Sequence, residues 1–140
     1  MSDLHERIAS SFARQGLMTT LGAQLLRVAP GEVEIALWPR PALSQQHGYV
    51  HAGALTSVLD TACGYAALTV ATAEANVLTV EFKINFLRPA VAERFVAIGK
   101  VARAGQSLSV CQGELIGEHE GQRSTIALMQ ATIISVADHG

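Results

Sequence analysis

Residues 54 to 73 form a long apolar segment that constrains the fold more than any other part of the sequence. The segment reads ALTSVLDTACGYAALTVATA, and its alanine and leucine residues favour a helix. Apolar residues occupy almost every side of that helix rather than a single stripe. Such a helix has to be covered by protein on most of its surface. We therefore expect one buried helix, enclosed by the rest of the chain.

Alternating apolar and polar residues predict strands before and after this helix. Residues 77 to 87 read VLTVEFKINFL, which predicts a half-buried strand with Val80, Phe82, Ile84 and Phe86 on its buried face. Further strands are predicted at residues 18–29, 32–38, 93–103, 107–117 and 123–136, and a short helix at residues 3–15. About six strands and one long helix indicate an α+β fold, in which an antiparallel sheet curls around the helix.

Asp60 is the only Asp, Glu, Lys or Arg between Arg40 and Glu74. An ionised carboxylate is costly to bury without a partner, and aspartate is a poor residue for a helix interior. Residues that break local rules in this way are concentrated at functional sites. Two structural interpretations compete with a functional one. Asp60 could lie on an exposed stripe with Thr56 and Ser57, or it could cap a neighbouring backbone segment.

The start of the helix offers a second set of functional groups. Gly53 and the small residues Ala52 and Ala54 would leave helix-end N–H groups open, and such groups stabilise an oxyanion or polarise a carbonyl. Asp60 follows about two turns later, roughly 10 Å along the axis. That is too far for both groups to act on one carbonyl within a single helix. A dimer that packs two such helices side by side could bring Asp60 of one chain to the amides of the other.

These segments resemble the active-site signature of the hotdog-fold acyl-CoA thioesterases of the phenylacetate-pathway (PaaI-like) type. That family carries Asn or Gln, five residues, His-Gly-Gly, and then Asp or Glu in the central helix. The corresponding residues are Gln45, His51-Ala52-Gly53 and Asp60. Residues 79 to 90, TVEFKINFLRPA, resemble the segment that follows the helix in the family, including its Leu-Arg-Pro-Ala ending. The resemblance extends over almost the whole chain and implies a hotdog fold.

The resemblance implies a role for each matching residue. Asp60 corresponds to the catalytic carboxylate, which acts either as a nucleophile on the thioester carbonyl or as a general base on water. The amide of Ala52, with Gly53 beside it, corresponds to the helix-end N–H group that polarises this carbonyl. Gln45 corresponds to the residue that positions water or the thioester. His51 corresponds to a histidine that supports the loop and can reach the thioester sulfur.

The remaining matches concern Thr79 and the substrate pocket. Thr79 matches a family serine or threonine that assists the reaction. Gly64 takes a place where some relatives carry a hydroxyl residue, and Tyr65 either lines an acyl tunnel or belongs to the core. Arg88, Arg103 and Arg123 are candidates for contact with the coenzyme A phosphates, and we favour Arg88 because it lies at the Leu-Arg-Pro-Ala ending. Ala52 stands where the family motif has its first glycine. This alanine keeps the backbone amide but adds a methyl group beside the acyl pocket.

Composition narrows the class of protein further. The 140 residues suffice for one domain with a core. The formal net charge is −2, and no basic stripe indicates binding to nucleic acid. Cys63 and Cys111 form no disulfide framework, which favours a reducing cytoplasm. The charged N-terminus does not resemble a signal peptide. Residues 52 to 73 contain Asp60 and two glycines, so a buried helix is preferred to a membrane span.

Metal and thiol chemistry are not expected. His47 and His51 lie four residues apart, but in a glycine-containing loop with no third ligand. Cys63 follows Asp60 by three residues without a general base placed for it, so a buried thiol is the preferred interpretation.

Together these features predict a single hotdog domain over residues 1–140. We expect an acyl-CoA thioesterase that hydrolyses an acyl-CoA to a carboxylic acid and free coenzyme A, without a metal or a bound cofactor. The expected assembly is a homodimer with a shared site, with dimers pairing into tetramers. A hotdog dehydratase or hydratase and a non-catalytic acyl-CoA binding module are the alternatives. The acyl group, whether aromatic, short-chain or medium-chain, is left open.

Overall fold

The computed structural model describes residues 2–137 and has an α+β architecture. Its helices are α1 (Asp3–Ala13), α2 (Gly16–Leu21) and α3 (Ala52–Val70), with a short 3₁₀ helix at Pro41–Leu43. Its strands are β1 (Gln24–Ala29), β2 (Glu32–Leu37), β3 (Ala75–Phe86), β4 (Arg94–Ala104), β5 (Leu108–His119) and β6 (Gln122–Ala137). The predicted central helix and the antiparallel sheet of about six strands are confirmed.

The six strands form one antiparallel sheet in the order β1-β2-β4-β5-β6-β3, and α3 contacts every strand of it. Leu55, Val58, Leu59 and Ala62 of α3 are fully buried. Each Leu or Val buried in this way contributes roughly 1.5–3 kcal/mol through loss of apolar surface from water. The curled sheet therefore supplies the cover that an almost entirely apolar helix requires.

Glycines in the sheet allow α3 to approach closely. A Cβ atom at Gly99 of β4 would lie 2.4 Å from the backbone carbonyl of Ala62, and one at Gly113 of β5 would lie 2.9 Å from the Leu59 side chain. Contacts this short do not occur between real atoms, so these strand positions admit only glycine unless the helix moves. The small residues on both surfaces set the depth at which α3 lies on the sheet.

The prediction of one strand over residues 18–29 is wrong in its first half. Residues 16 to 21 form α2, and Gly22 ends this helix with a left-handed backbone (φ 71°), which only glycine adopts readily. Met18 and Leu21 lie three residues apart and are both buried. Residues three apart share one face of a helix but lie on opposite faces of a strand, so this spacing favours the helix that Gly22 ends.

The prediction of the buried face of β3 is also wrong in part. Thr79 pairs with Ile133 of β6 and Glu81 pairs with the adjacent Thr132, so Val80 is an extra residue in a β-bulge. A bulge reverses the alternation of side chains along a strand. Thr79 therefore shares the helix-facing side with Phe82, Ile84 and Phe86, whereas Val80 is 55% exposed.

The first helix fastens the end of α3. Arg7 of α1 donates hydrogen bonds to the carbonyl oxygens of Leu68 (3.5 Å), Thr72 (3.0 Å) and Ala75 (3.1 Å). A cation at this position also complements the negative end of the α3 dipole. The turn that leads from α3 into β3 is thereby held in place. Among residues 2–137, no helix combines the length and the apolar character needed to cross a membrane.

Candidate active site

Asp60 and Thr79 meet between α3 and the edge strand β3. Asp60 is half-buried, and the Thr79 hydroxyl donates a 2.8 Å hydrogen bond to its Oδ1 atom. The β-bulge at Val80 is what turns Thr79 toward the helix. The second carboxylate oxygen, Oδ2, has no hydrogen-bond partner among residues 2–137. Asp60 is therefore oriented by one hydroxyl and retains a carboxylate oxygen for chemistry.

The N-terminus of α3 is capped by the side chain of His51. Its Nδ1 atom accepts a 2.7 Å hydrogen bond from the amide of Gly53, and its carbonyl oxygen accepts from Ala54 (3.0 Å) and Leu55 (3.4 Å). Ala52 is the one residue of the first turn whose amide has no acceptor within the described part of the chain. The positive end of the helix dipole thus presents a single free N–H group.

A side chain at position 53 would crowd the His51 ring. A Cβ atom on residue 53 would lie 3.0 Å from Nδ1 and 3.2 Å from Cε1 of that ring. Ala52 is different, because it is exposed and its φ is not positive, so the methyl group that replaces the family glycine introduces no backbone strain. The His51 ring therefore restricts the side chain at position 53 and not the one at position 52.

The loop before α3 is held by its own hydrogen bonds. The Gln45 amide donates to the Tyr49 carbonyl oxygen (2.8 Å), and the Gln45 side-chain oxygen accepts from the amide of His47. The His51 amide donates to the carbonyl oxygen of Leu43 (2.7 Å), which fastens the end of the loop to the 3₁₀ helix. Gln45 is half-buried, and its side-chain NH₂ group is the part that can still reach a ligand.

The predicted catalytic residues therefore form two separate groups within one chain. The carboxylate group consists of Asp60 and Thr79, and the amide group consists of Gln45, His51 and the start of α3. Residues 52 and 60 are eight positions apart in the same helix, about 12 Å along its axis at 1.5 Å per residue. A single chain does not bring the carboxylate and the free amide to one carbonyl group.

The three predicted substrate-binding residues occupy different surroundings. Gly64 lies one turn after Asp60, and a Cβ atom there would meet nothing within 4 Å. Tyr65 is 5% exposed, and its hydroxyl is hydrogen-bonded to Ser11 and Gln15, each at 2.9 Å. Arg88 is exposed after the end of β3, and its side chain contacts no carboxylate among residues 2–137. Tyr65 is thus joined to the core, while Gly64 borders open space.

Ser11 and Gln15 are polar residues beside this site that the sequence interpretation missed. They lie about fifty residues before Tyr65, on and just after α1. Their spacing of four residues is common on the exposed side of any short helix, so no local pattern distinguishes them. Only the packing of α1 against α3 brings them to the Tyr65 hydroxyl.

The two cysteines are buried thiols. Burial raises the pKa of Cys63 far above its usual range, with smaller contributions from the neighbouring Cys111 and Asp60. Burial likewise raises the pKa of Cys111 to about 11. Neither thiol supplies a thiolate near neutral pH. Residues 2–137 also contain no cluster of three His, Cys, Asp or Glu side chains arranged for a metal ion.

Comparison with known proteins assigns the chain to a family. The thioesterase superfamily matches residues 47–123, which run from the loop before α3 into β6 and include Asp60. This chain belongs to the thioesterase superfamily. The expectation of a thioester hydrolase is confirmed at the level of this family.

Solved structures agree with the thioesterase assignment. A thioesterase family protein from Silicibacter pomeroyi is 44% identical with a TM-score of 0.94, over 96% of this chain and 99% of that one. The Escherichia coli PaaI protein, from the phenylacetic acid degradation operon, is 21% identical with a TM-score of 0.86, over 96% of this chain and 94% of that one. The likeness to PaaI shows a shared fold, so the predicted hotdog, PaaI-like architecture is confirmed.

One sequence relative of this thioesterase superfamily member has a name that specifies a substrate. The medium/long-chain acyl-CoA thioesterase YigI of Escherichia coli K12 is 26% identical to this chain over 115 residues, which cover 71% of this chain and 74% of YigI. The chain spans 66% to 74% of the length of the curated relatives that it matches.

Proposed function

We propose that this protein is an acyl-CoA thioesterase that hydrolyses RCO–SCoA to a carboxylic acid and free coenzyme A. The observation that carries the proposal is the Asp60–Thr79 pair, a half-buried carboxylate oriented by a hydroxyl in an otherwise apolar helix. An acyl-CoA binding module has no need for a carboxylate held in this way. The name of the relative YigI supports coenzyme A as the thiol carrier. The reaction needs neither a metal nor a bound cofactor.

The proposed mechanism gives the two groups of residues opposite tasks. The free amide of Ala52 donates a hydrogen bond to the thioester oxygen, which stabilises the negative charge that develops as the carbonyl is attacked. Asp60 acts on the carbonyl carbon in one of two ways. It adds as a nucleophile, expelling the thiolate to leave an anhydride that water cleaves, or it removes a proton from water, whose oxygen adds instead.

Supporting residues complete this arrangement. The Thr79 hydroxyl holds one oxygen of Asp60 so that the other faces the substrate. The side-chain amide of Gln45 positions the thioester or the attacking water. His51 holds the helix cap in place and is close enough to the free amide to approach the departing sulfur. In either route the C–S bond breaks, and the sulfur leaves as a thiolate that takes its proton from solvent or from the carboxyl group.

The complete site requires two chains in this proposal, because one chain separates the carboxylate from the free amide. The edge strand β3 supplies a surface for pairing. It spans 12 residues, and it exposes the apolar side chains Leu78 (61%), Val80 (55%) and Phe82 (42%). Long apolar edges of this kind are normally covered by another strand. We place two β3 strands together in a homodimer, with dimers pairing into tetramers in the cytoplasm.

The test is thiol release from a panel of acyl-CoA thioesters. We expect hydrolysis by the parent protein and a loss of about 10²-fold or more in Asp60→Asn, which keeps the size of the side chain but removes its charge. Asp3→Asn, an exposed position in the first turn of α1, is the matched control and should retain parent activity. A parent that releases no thiol, or an Asp60→Asn variant as active as the parent, refutes the mechanism.

A further inference from the structure

Two pockets border Val77, and we propose that this side chain ends the acyl-binding pocket and sets the longest acyl group that the protein hydrolyses. The inference rests on the proposed acyl-CoA thioesterase function. Val77 lies on β3 two residues before Thr79, so both side chains point to the same side of the strand. Val77 is half-buried and packs against the hydrophobic core.

The first pocket lies between α1, α3 and β3, and one of its lining residues, Thr61, is next to Asp60 in the sequence. It has a volume of about 110 Å³, and its walls include Thr61, Gly64 and Tyr65 of α3, with Val77 facing them from β3. Thr61 directly follows Asp60, and Gly64 lies one turn later, roughly 6 Å along the axis. A cavity of about 150 Å³ admits one benzene-sized molecule, so the first pocket accepts only a short acyl group.

Three polar side chains on the wall of the first pocket already have hydrogen-bond partners within that wall. The Tyr65 hydroxyl is bonded to the Ser11 hydroxyl and to the Gln15 side-chain nitrogen, each at 2.9 Å. Burying a polar group against carbon is costly when its hydrogen bonds are lost, but here they are made within the wall. Gly64 adds no side chain to fill the space.

The second pocket lies beyond Val77 at the far end of α3. It also has a volume of about 110 Å³, and its mixed walls include the apolar residues Ala67, Val70, Ala71 and Ile133 and the polar residues Thr72, Gln106, Ser109 and Ser135. Residue 71 is roughly 16 Å along the helix axis from residue 60. Among residues 2–137, Val77 is the one residue that lines both pockets, and in this proposal its side chain separates them. Shortening this side chain joins the two into one channel that leads away from Asp60.

The experiment compares kcat/KM for acetyl-, butanoyl-, hexanoyl-, octanoyl- and decanoyl-CoA. The parent is expected to prefer acyl groups no longer than hexanoyl. Val77→Ala should raise the octanoyl-to-butanoyl ratio of kcat/KM by about tenfold or more, because each methylene accepted by an apolar pocket is worth about that factor. Val77→Ile, which adds a methyl group to the barrier, should lower the hexanoyl-to-acetyl ratio.

Val91→Ala is the matched control, since Val91 is 60% exposed after β3 and borders neither pocket. It should keep the parent profile. A folded Val77→Ala protein with the parent octanoyl-to-butanoyl ratio overturns the inference, as does a parent that already prefers decanoyl-CoA. If Val77→Ala does not fold, an unchanged hexanoyl-to-acetyl ratio in Val77→Ile overturns it. A parent inactive on every acyl-CoA refutes the proposed function as well, whereas activity with an unaltered profile refutes this inference alone.

Discussion

The hydroxyl of Thr79 donates a 2.8 Å hydrogen bond to Oδ1 of Asp60, which joins the strand at the edge of the sheet to the middle of the buried helix. Thr79→Val removes the hydroxyl but keeps the β-branched shape that suits a strand. We expect kcat to fall by about tenfold, because a hydrogen bond to a charged group contributes roughly 1.5–3 kcal/mol and solvent exposure reduces that value here. Steady-state thiol release measures the change.

Thr132→Val is the control for this substitution. The Thr132 hydroxyl also bonds to a carboxylate, that of Glu81 at 3.1 Å, but next to the bulge and away from Asp60. It should leave kcat unchanged. Equal activity in Thr79→Val and the parent would show that the hydroxyl does not orient the carboxylate.

Ala52→Pro removes the free amide hydrogen with little disturbance of α3. Proline is favoured at the first position of a helix, and the preceding residue must be extended. His51 already has φ −60° and ψ 135°, which satisfies that requirement. We expect a loss of about 10²–10³-fold in kcat, comparable to removal of one oxyanion donor, with the thermal unfolding midpoint nearly unchanged.

Ala52→Gly is the companion variant, because it removes the methyl group and keeps the N–H group. It should remain active. Full activity in Ala52→Pro would exclude the residue 52 amide from the stabilisation of the oxyanion.

A shared site predicts complementation between two inactive variants. When Asp60→Asn and Ala52→Pro chains are unfolded together and refolded, half of the dimers are mixed. One of the two sites in each mixed dimer then combines an intact Asp60 with an intact residue 52 amide. Activity should recover to about a quarter of the parent value per chain. Each variant refolded alone is the control, and a mixture that stays inactive argues for a site within one chain.

The close contact between Gly99 and Ala62 predicts a large effect on stability. Gly99→Ala places a methyl group 2.4 Å from the Ala62 backbone, so α3 must move away from β4. We expect the free energy of unfolding in urea to fall by about 1–3 kcal/mol. Gly64→Ala adds a methyl group to α3 itself, at a position where nothing lies within 4 Å. It should raise the free energy of unfolding by up to about 1 kcal/mol. Equal effects would refute the packing argument.

The sequence predicted the central helix and the sheet because both depend on strong, regular patterns. The segment around Leu59 is apolar on all sides, and residues 77–87 alternate between apolar and polar side chains along most of their length. Two local features escaped prediction. Helix α2 depends on the left-handed turn at Gly22, and the direction of Thr79 depends on one inserted residue, Val80. A bulge leaves no mark on the pattern of a single strand, because it is defined by pairing with another.

The sequence suggested the residues of the candidate site and the separation of Asp60 from the helix start, but not the contacts within each group. The isolated Asp60 and the small residues at the helix start are visible in the sequence, and the family resemblance linked them to a reaction. The use of the Gly53 amide by His51 could not be foreseen, since it depends on a side-chain rotamer. The pocket wall at Val77 was equally hidden, because it arises where elements distant in sequence meet.

The His51 cap has a consequence for how this loop can change over generations. A Cβ atom at position 53 would lie 3.0 Å from the imidazole ring, so a substitution at Gly53 requires either a shift of that ring or a smaller residue at position 51. Residue 52 is under no such restriction, because its side chain faces solvent while its amide contributes to the site. The effects of substitutions at positions 51 and 53 are therefore expected to depend on each other, whereas position 52 should accept residues that retain an N–H group.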